Sequence, residues 1–472
     1  MTGDKGEQGN VAVQAPPHGH GRARVDLTTG SIPKKLFGQA WPQVIEGVLN
    51  IADEFVDLFW AGRTSLGFRA IASVGVAQTI TGFAGRARQG FDVAMRAMIA
   101  RAVGARNIPL ANHVLFQGLL LSGVYSIGMV LIGAFLTGLF LTWLGVSPEL
   151  RAGTVLYMQI QFIGSATQSL RNLTGAALQA AGEPMVPMRA TMVTRALHVV
   201  LSPFLIFGWG WFPEMGLPGS ALATVLAQTA GIVINLVALT GGRSRLHFSL
   251  LGDRPDPPLV WRMVKTGTPA SIRGLERGMS QLALLGFVAP FGDVALAGYA
   301  LTRRLEQLTN FGSGGIAQAS GVMVGQNLGA GQPDRAKKAI AWALLYVAGM
   351  KSFIMAFFWV FAATAIMIFS QDPAVVDLTV TWVRIQLFAA LSMGMTIVLQ
   401  ESFNGAGDTL APMVLTLAGV WLVEVPVAWF LCTQTGLGPL GIGWAAIAGF
   451  SARLFFSIPY YFYGRWLRIK VI

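Results

Sequence analysis

GQNLGAGQPDRAKK, residues 325–338, reads as a tight turn between two helices. Its glycines let one helix end abruptly, Pro333 suits the opening of the next, and Asp334 complements that helix's positive end. The signal occurs twice. ARAVGARN at 100–107 stands against GQNLGAGQ at 325–332, which sets Gly104 opposite Gly329 and Ala111 opposite Ala336 at an offset of 225. LQAAGEPMVPM (178–188) returns as FNGAGDTLAPM (403–413) at the same offset, with Glu183 and Asp408 near helix starts. Pro42 answers Pro269, and GLPGSALAT (216–224) answers LGIGWAAIA (440–448), with slips of a residue or two. Landmarks in one order and nearly one spacing mark an internal duplication.

What surrounds these turns is apolar. Of 472 residues, 53% are hydrophobic and only 12% charged, and the mean hydropathy is +0.57. A soluble chain of this length carries about a quarter charged residues, so most of this surface faces lipid. Apolar stretches long enough to cross about 30 Å of hydrocarbon are expected at 36–62, 70–100, 113–142, 151–178, 184–209, 217–240, 259–290, 294–324, 338–369, 374–403, 409–433 and 438–463. The second and eighth carry enough charge to escape a hydropathy scan. The expected fold is an all-α polytopic membrane protein, twelve transmembrane helices in two pseudo-symmetric six-helix bundles around a central cavity. Its expected divisions are a disordered tail at 1–33, one six-helix unit at 34–242, a loop at 243–258 and the second unit at 259–472. The first 30 residues are polar and rich in Gly and Pro, and read as a disordered tail rather than a signal peptide. The 57 glycines suit close helix packing in lipid, and Cys432 reads as an apolar filler. Trp60, Trp143, Trp209, Trp211 and Trp466 near the predicted helix ends read as interfacial anchors.

A net charge of +12 would suit nucleic acid, but its distribution points to a membrane instead. Lys5, Arg22, Arg24, Lys34 and Lys35 precede the first span. Arg243, Arg245, Arg254, Arg262 and Lys265 lie in or beside the central loop, Arg335, Lys337 and Lys338 follow the eighth span, and Arg465, Arg468 and Lys470 follow the twelfth. The opposite loops near 210–217, 290–294, 370–376 and 432–440 hold no Lys or Arg. The positive-inside rule then puts both termini and the central loop in the cytoplasm, with the chain in the inner membrane. An even number of crossings follows. With six spans per copy, the copies share one orientation and are related by an axis along the membrane normal. Alternating access becomes the rocking of one bundle against the other. One chain holds both bundles, so a monomer suffices.

Ionisable residues at membrane depth are costly and mark function. Glu46, Asn50, Asp53 and Asp57 are spaced four, three and four, one polar stripe on the first helix, with Glu54 a quarter turn away. Such carboxylates can take up a proton on one side of the membrane and release it on the other, or can form structural pairs with arginines. Arg88, Asp92 and Arg96 share a face of the second helix. They form either an internal ladder or a coat that selects a carboxylate-bearing substrate. The second half repeats the theme with Arg273, Glu276, Arg277, Arg303, Arg304 and Glu306, with Glu401 near the end of the tenth helix, and with Arg384 available to answer a carboxylate.

GVMVGQNLGAGQPDRAKKA (321–339), FNGAGDTLAPM and PFLIFG (203–208) with the downstream PGSALAT (218–224) resemble the multidrug and toxic compound extrusion (MATE) family of cation-coupled antiporters. The resemblance covers about residues 35–465. It implies two six-helix bundles exporting drugs or small metabolites in exchange for H⁺ or Na⁺. It also implies that Asp57, within VDLFWAG (56–62), is the first-helix coupling carboxylate, and that Glu276 lies near an acidic position of sodium-coupled members. Asp53, His198, Glu276 and Asp57 are therefore the ion-coupling candidates, and Arg88, Asp92, Arg96, Arg303, Glu401 and Asn50 the substrate-binding candidates. The chain departs from the family pattern at His198 and Ser202, where an Asn and an Asp usually precede the PxLIFG motif. It departs again at Met393, near the place of a carboxylate in sodium-using members. Met393 favours H⁺ over Na⁺, and His198 either replaces a coupling group, as an imidazole able to titrate near neutrality, or is a hydrogen-bonded structural histidine beside a helix kink.

Two other readings stay open: an exporter of organic anions, and a flippase for lipids or lipid-linked oligosaccharides from the wider superfamily. An enzyme is not expected, since no HExxH, clustered ligand set or phosphate-binding loop is present in the sequence, and no cofactor beyond the coupling ion is implied.

Overall fold

In hydrocarbon every backbone N–H and C=O must find its partner within the chain, which leaves helices as the economical solution for these apolar stretches. The computed structural model describes residues 26–61, 63, 68–143, 148–242, 244–248, 254–469 and 471. Within them lie α1 (Ile32–Ala61), α2 (Phe68–Gly104), α3 (Ile108–Trp143), α4 (Pro148–Ala180), α5 (Met185–Phe207) and α6 (Leu217–Thr240). The second half supplies α7 (Pro257–Val288), α8 (Asp293–Gly329), α9 (Pro333–Met367), α10 (Pro373–Ala406), α11 (Leu410–Thr433) and α12 (Gly441–Tyr463). Among the described residues, seven helices are long and apolar enough to cross a membrane: α3, α5, α6, α9, α10, α11 and α12. The expected charge-rich helices α2 and α8 are not among them. Neither are α1, α4 and α7. Phe135, Phe353, Leu422 and Phe455 point outward, as a lipid-facing surface requires. The chain is thus a multi-pass, all-α membrane protein.

α11 departs from the single regular helix expected at 409–433. Ala418–Glu424 form a π turn in its middle, directly before Pro426. Proline has no N–H to return to the carbonyl four residues back, so the ladder slips by one residue there instead of leaving a carbonyl bare.

α1 and α2 of the first half pack on α7 and α8 of the second: α2 on α7, α1 on α8, and α2 on α8. Glycine lets these backbones touch. A Cβ on Gly104 would fall 1.9 Å from the Gln326 carbonyl oxygen, and one on Gly329 would fall 2.1 Å from that of Arg101. These two contacts are the same contact displaced by 225 residues. The side chains repeat it: Gln326 Nε2 donates to the Ala180 carbonyl at 2.7 Å, and Arg101 Nη2 to that of Ala406 at 2.9 Å. Higher in the seam, Gly90 meets Gly267 while Gly315 meets the backbone of Val44.

The packing is exchanged at this end. Leu27, Ile32 and Leu36, at and before the first turns of α1, are buried among α8, α9 and α10 side chains such as Met323, Ala343 and Val398. Leu259 and Met263 of α7 join a core built from α2, α3, α4 and α6. Arg335 donates to the carbonyls of Thr29 (2.7 Å) and Gly30 (2.8 Å), and Val471 is buried beside the first-half core. Both ends of the described chain therefore lie where the halves close. Trp466, expected at the membrane interface, is instead wholly buried. It stacks on Tyr461, packs beside Phe403, and donates to the Tyr461 carbonyl. The 3-10 turn Arg465–Leu467 folds it back onto α8 and α10.

Candidate functional site

The polar stripe of α1 meets α5 inside the first half. Asp53 is buried, and Arg195 takes its Oδ2 while His198 Nδ1 lies 2.7 Å from its Oδ1. Arg195 also donates from Nη2 to Asn50 Oδ1 at 2.8 Å. His198 Nε2 is 3.1 Å from Thr224 Oγ1 on α6. A neutral imidazole can donate to Asp53 and accept from Thr224; protonated, it donates to both. The cluster therefore joins three helices, α1 through Asp53, α5 through His198 and α6 through Thr224, and between the two protonation states it is the Thr224 contact that changes direction. Asp57 belongs to the same helix, but its side chain lies outside the described residues. Two turns before Asp53, Glu46 Oε2 accepts from Gln179 at 3.2 Å, and its Oε1 is buried without a hydrogen-bond partner. Arg171 lies within electrostatic reach of Glu46 and donates to Thr191 (3.1 Å) and Asn172 (3.0 Å).

On α2 the three-residue ladder divides. Arg88 and Asp92 form a 2.7 Å pair, while Arg96 crosses to the other half and donates to Gln318 Oε1 at 3.0 Å. Asp92 thus takes one of its two available partners. Arg96 makes no ion pair with a carboxylate among the described residues.

In the second half, Glu306 Oε2 accepts from Arg303 at 2.7 Å and Gln386 at 2.8 Å. Glu306 and Gln386 line, and Arg303 adjoins, a cavity whose remaining wall includes Leu305, Phe358, Leu387, Met393 and Phe450. Glu401 Oε1 accepts from Arg273 at 3.1 Å and Asn404 at 3.0 Å. Arg384, considered above as an answer to such a carboxylate, lies over the Trp359 ring, 5.6 Å from its centroid. Glu276 is buried with Oε1 unpartnered and has Arg453 within electrostatic reach. Arg453 itself pairs with Glu424 and lies 4.2 Å from the Phe450 ring centroid. A second, water-sized cavity straddles the seam and is lined by Val93, Arg96, Ala97, Gln318, Gly321, Glu401, Asn404 and Gly405.

Sequence reading overlooked Arg195, Arg171, Glu424, Arg453 and Lys351. Glu424, Arg453 and Lys351 are charges inside apolar runs, as in VWLVEVPVAW (420–429) or SARLFF (451–456), and that signal would have selected them; Arg171, in SATQSLRNLTG (165–175), carries no such signal. Lys351 is 1% exposed, and its Nζ donates to Asn310 Oδ1 (2.6 Å) and the Thr309 carbonyl (3.0 Å). Among the described residues no group of three or more His, Cys, Asp or Glu is placed to hold a metal ion.

The family model described as MatE matches residues 42–204 and 269–430. The chain is 27% identical over 290 residues to the probable multidrug resistance protein YoeA of Bacillus subtilis, covering 60% of this chain and 62% of that protein. It is 27% identical over 455 residues to the probable multidrug resistance protein YpnP of the same organism, covering 94% and 98%. A solved structure of a MOP superfamily transporter from Pyrococcus furiosus superposes with a TM-score of 0.86 at 20% identity, covering 96% of this chain and all of that one.

Proposed function

The chain belongs to the MatE family, and from that premise we propose that it is a secondary active antiporter that exports drugs or small metabolites in exchange for H⁺. Twelve transmembrane helices in two six-helix bundles carry out alternating access. The bundles divide at the 243–258 loop, and both termini are cytoplasmic in the inner membrane. The protein works as a monomer within the lipid bilayer and takes no nucleic acid.

The observation that carries the coupling ion is the Asp53–His198 contact, with Arg195 on the other carboxylate oxygen. A proton arriving at this cluster converts an imidazole that donates once into one that donates twice: the bond to Asp53 on α1 gains charge and the contact with Thr224 on α6 reverses its direction. Asp57, on the same helix, is the entry carboxylate in this scheme, and Glu276 is a further ion-coupling carboxylate in the second bundle. Neighbouring Arg88, Asp92, Arg96, Arg303, Glu401 and Asn50 shape the substrate path. Arginines on that path favour substrates bearing a carboxylate, in line with the organic-anion reading.

Purified protein in proteoliposomes, given an imposed pH gradient and ethidium as a reporter cation and norfloxacin as a zwitterionic one, tests this. Substrate movement coupled to proton counterflow is expected, lost in Asp57→Asn and in Asp53→Asn. Transport driven only by a sodium gradient, or unaffected by both substitutions, overturns the assignment and moves attention to Glu276 and Glu401.

A further inference from the structure

Arg277 of α7 stands apart from the paired cations of the second half. The neighbouring carboxylates are committed: Glu401 to Arg273, Glu424 to Arg453, and Glu306 to Arg303 and Gln386. Glu276, the preceding residue, is buried while Arg277 is exposed, so the two side chains leave α7 on different faces. Among the described residues Arg277 makes no hydrogen bond or ion pair. Its exposure is not to lipid. Arg277 lies one turn beyond Arg273, on the face that meets Glu401 of α10, and Arg453 of α12 and Glu306 of α8 are within its electrostatic reach. It therefore faces inward, about 30 Å along α7 from Pro257. A second cation approaches from the first half, where Arg86 of α2 lies against Gly278: a Cβ there would fall 2.9 Å from Arg86 Nη1 and 3.1 Å from the Phe83 ring. Arg86 lies 5.6 Å from the Phe83 ring centroid and, among the described residues, also lacks a hydrogen bond or ion pair.

We propose that Arg277 receives the anionic group of the transported substrate, with Arg86 adding positive charge from the first half, and that the substrate is an organic oxyanion, a carboxylate or a phosphate ester. An ionisable side chain at membrane depth is costly to keep and marks a functional site, and one without a counter-charge leaves that place for a ligand. The guanidinium presents a planar fork that takes two oxygens of a carboxylate or phosphate at once. A simple cation meets like charge at both arginines, whereas an anion supplies what the protein does not. The assignment rests on the antiport reading and deepens it by naming the residue that sets the substrate's charge.

The test uses the full chain in phosphatidylcholine nanodiscs and calorimetric binding of 3-phenylpropionate, phenethyl phosphate and phenethylamine, three ligands that share a ring and differ in the charged group. At least one of the two anions is expected to bind about tenfold or more tightly than the amine. Arg277→Gln is expected to erase that advantage, Arg277→Lys to keep part of it, and Arg277→Glu to reverse the order. Because Arg277 has no partner to lose, Arg277→Gln is expected to leave the thermal unfolding midpoint in place, while Arg273→Gln, which breaks a pair, lowers it. Four results overturn the proposal: equal binding of anions and amine, no binding of either anion, a preference unmoved in Arg277→Gln, or a preference lost there together with a fall in midpoint as large as that of Arg273→Gln. Proton-coupled norfloxacin exchange by the unsubstituted protein separates the two readings. If it persists while the binding series fails, only the Arg277 assignment falls; if it is absent while the anions bind as expected, only the antiport reading falls.

Discussion

His198 Nδ1 lies 2.7 Å from Asp53 Oδ1, and the other oxygen of the same carboxylate is held by Arg195. The carboxylate is thus shared between a permanent cation and a group that titrates. Removing its charge takes the counter-charge from Arg195, which is part-buried and keeps Asn50 as an acceptor, at a cost of about 1–3 kcal/mol. Asp53→Asn is expected to lower the thermal unfolding midpoint in detergent and to stop proton movement in proteoliposomes. Asp53→Asn combined with Arg195→Gln is expected to recover most of the midpoint and none of the proton movement. Recovery of both assigns the cluster a purely structural role.

At the seam, an alanine at Gly104 or Gly329 would bring its Cβ to 1.9 Å or 2.1 Å from a carbonyl oxygen of the opposite half. The backbones must part, at a cost of about 1–3 kcal/mol of overpacking. Spin labels placed across this end should report a larger population with the halves separated in Gly104→Ala, and in Gly329→Ala equally. Gly128→Ala, which adds a methyl where no atom lies within 4 Å, is expected to leave the distances unchanged.

These expectations rest on relationships that sequence exposed unevenly. Glu46, Asn50 and Asp53 are legible as one stripe because steps of three and four need only helical geometry. Their partners are not: Arg195 and His198 lie 142 and 145 residues further along, and local sequence carries no record of that meeting. The Gly104 and Gly329 pairing was legible as repetition, but repetition does not say that each glycine touches the other copy's neighbour rather than its own. Trp466 misled because a tryptophan near an apolar helix end commonly sits at the interface. Burial here comes from a turn that returns it to α8 and α10.

Glu424 and Arg453 pair inside the second half, with the guanidinium over Phe450. Glu424→Gln alone leaves Arg453 buried without its counter-charge and is expected to destabilise the protein by about 3–5 kcal/mol. Glu424→Leu with Arg453→Met, which removes both charges and keeps side-chain volume, is expected to lose less than either single change. Thermal unfolding of Glu424→Gln, of Arg453→Met and of the double variant measures this, and a double variant worse than the two singles contradicts it.

Lys351 keeps its ammonium in place with Asn310 Oδ1 and one backbone carbonyl. Asn310→Leu removes one of these two acceptors from a buried charge, whereas Lys351→Met removes the charge itself. The first is expected to be the more destabilising by about 1–3 kcal/mol, read from unfolding midpoints. The reverse order would give Lys351 a stabilising contact beyond these two.

The burial of Leu27 among side chains of the second half has a consequence in time. Its carbonyl is met by Asn327, 300 residues later in the chain. At about 5–20 residues per second, the ribosome takes roughly 15–60 s to supply that partner. Through this interval the opening turns of α1 have no native surface to rest on. The earliest-made described segment is therefore among the last to reach its final neighbours, and the seam cannot close before α8 and α9 have emerged.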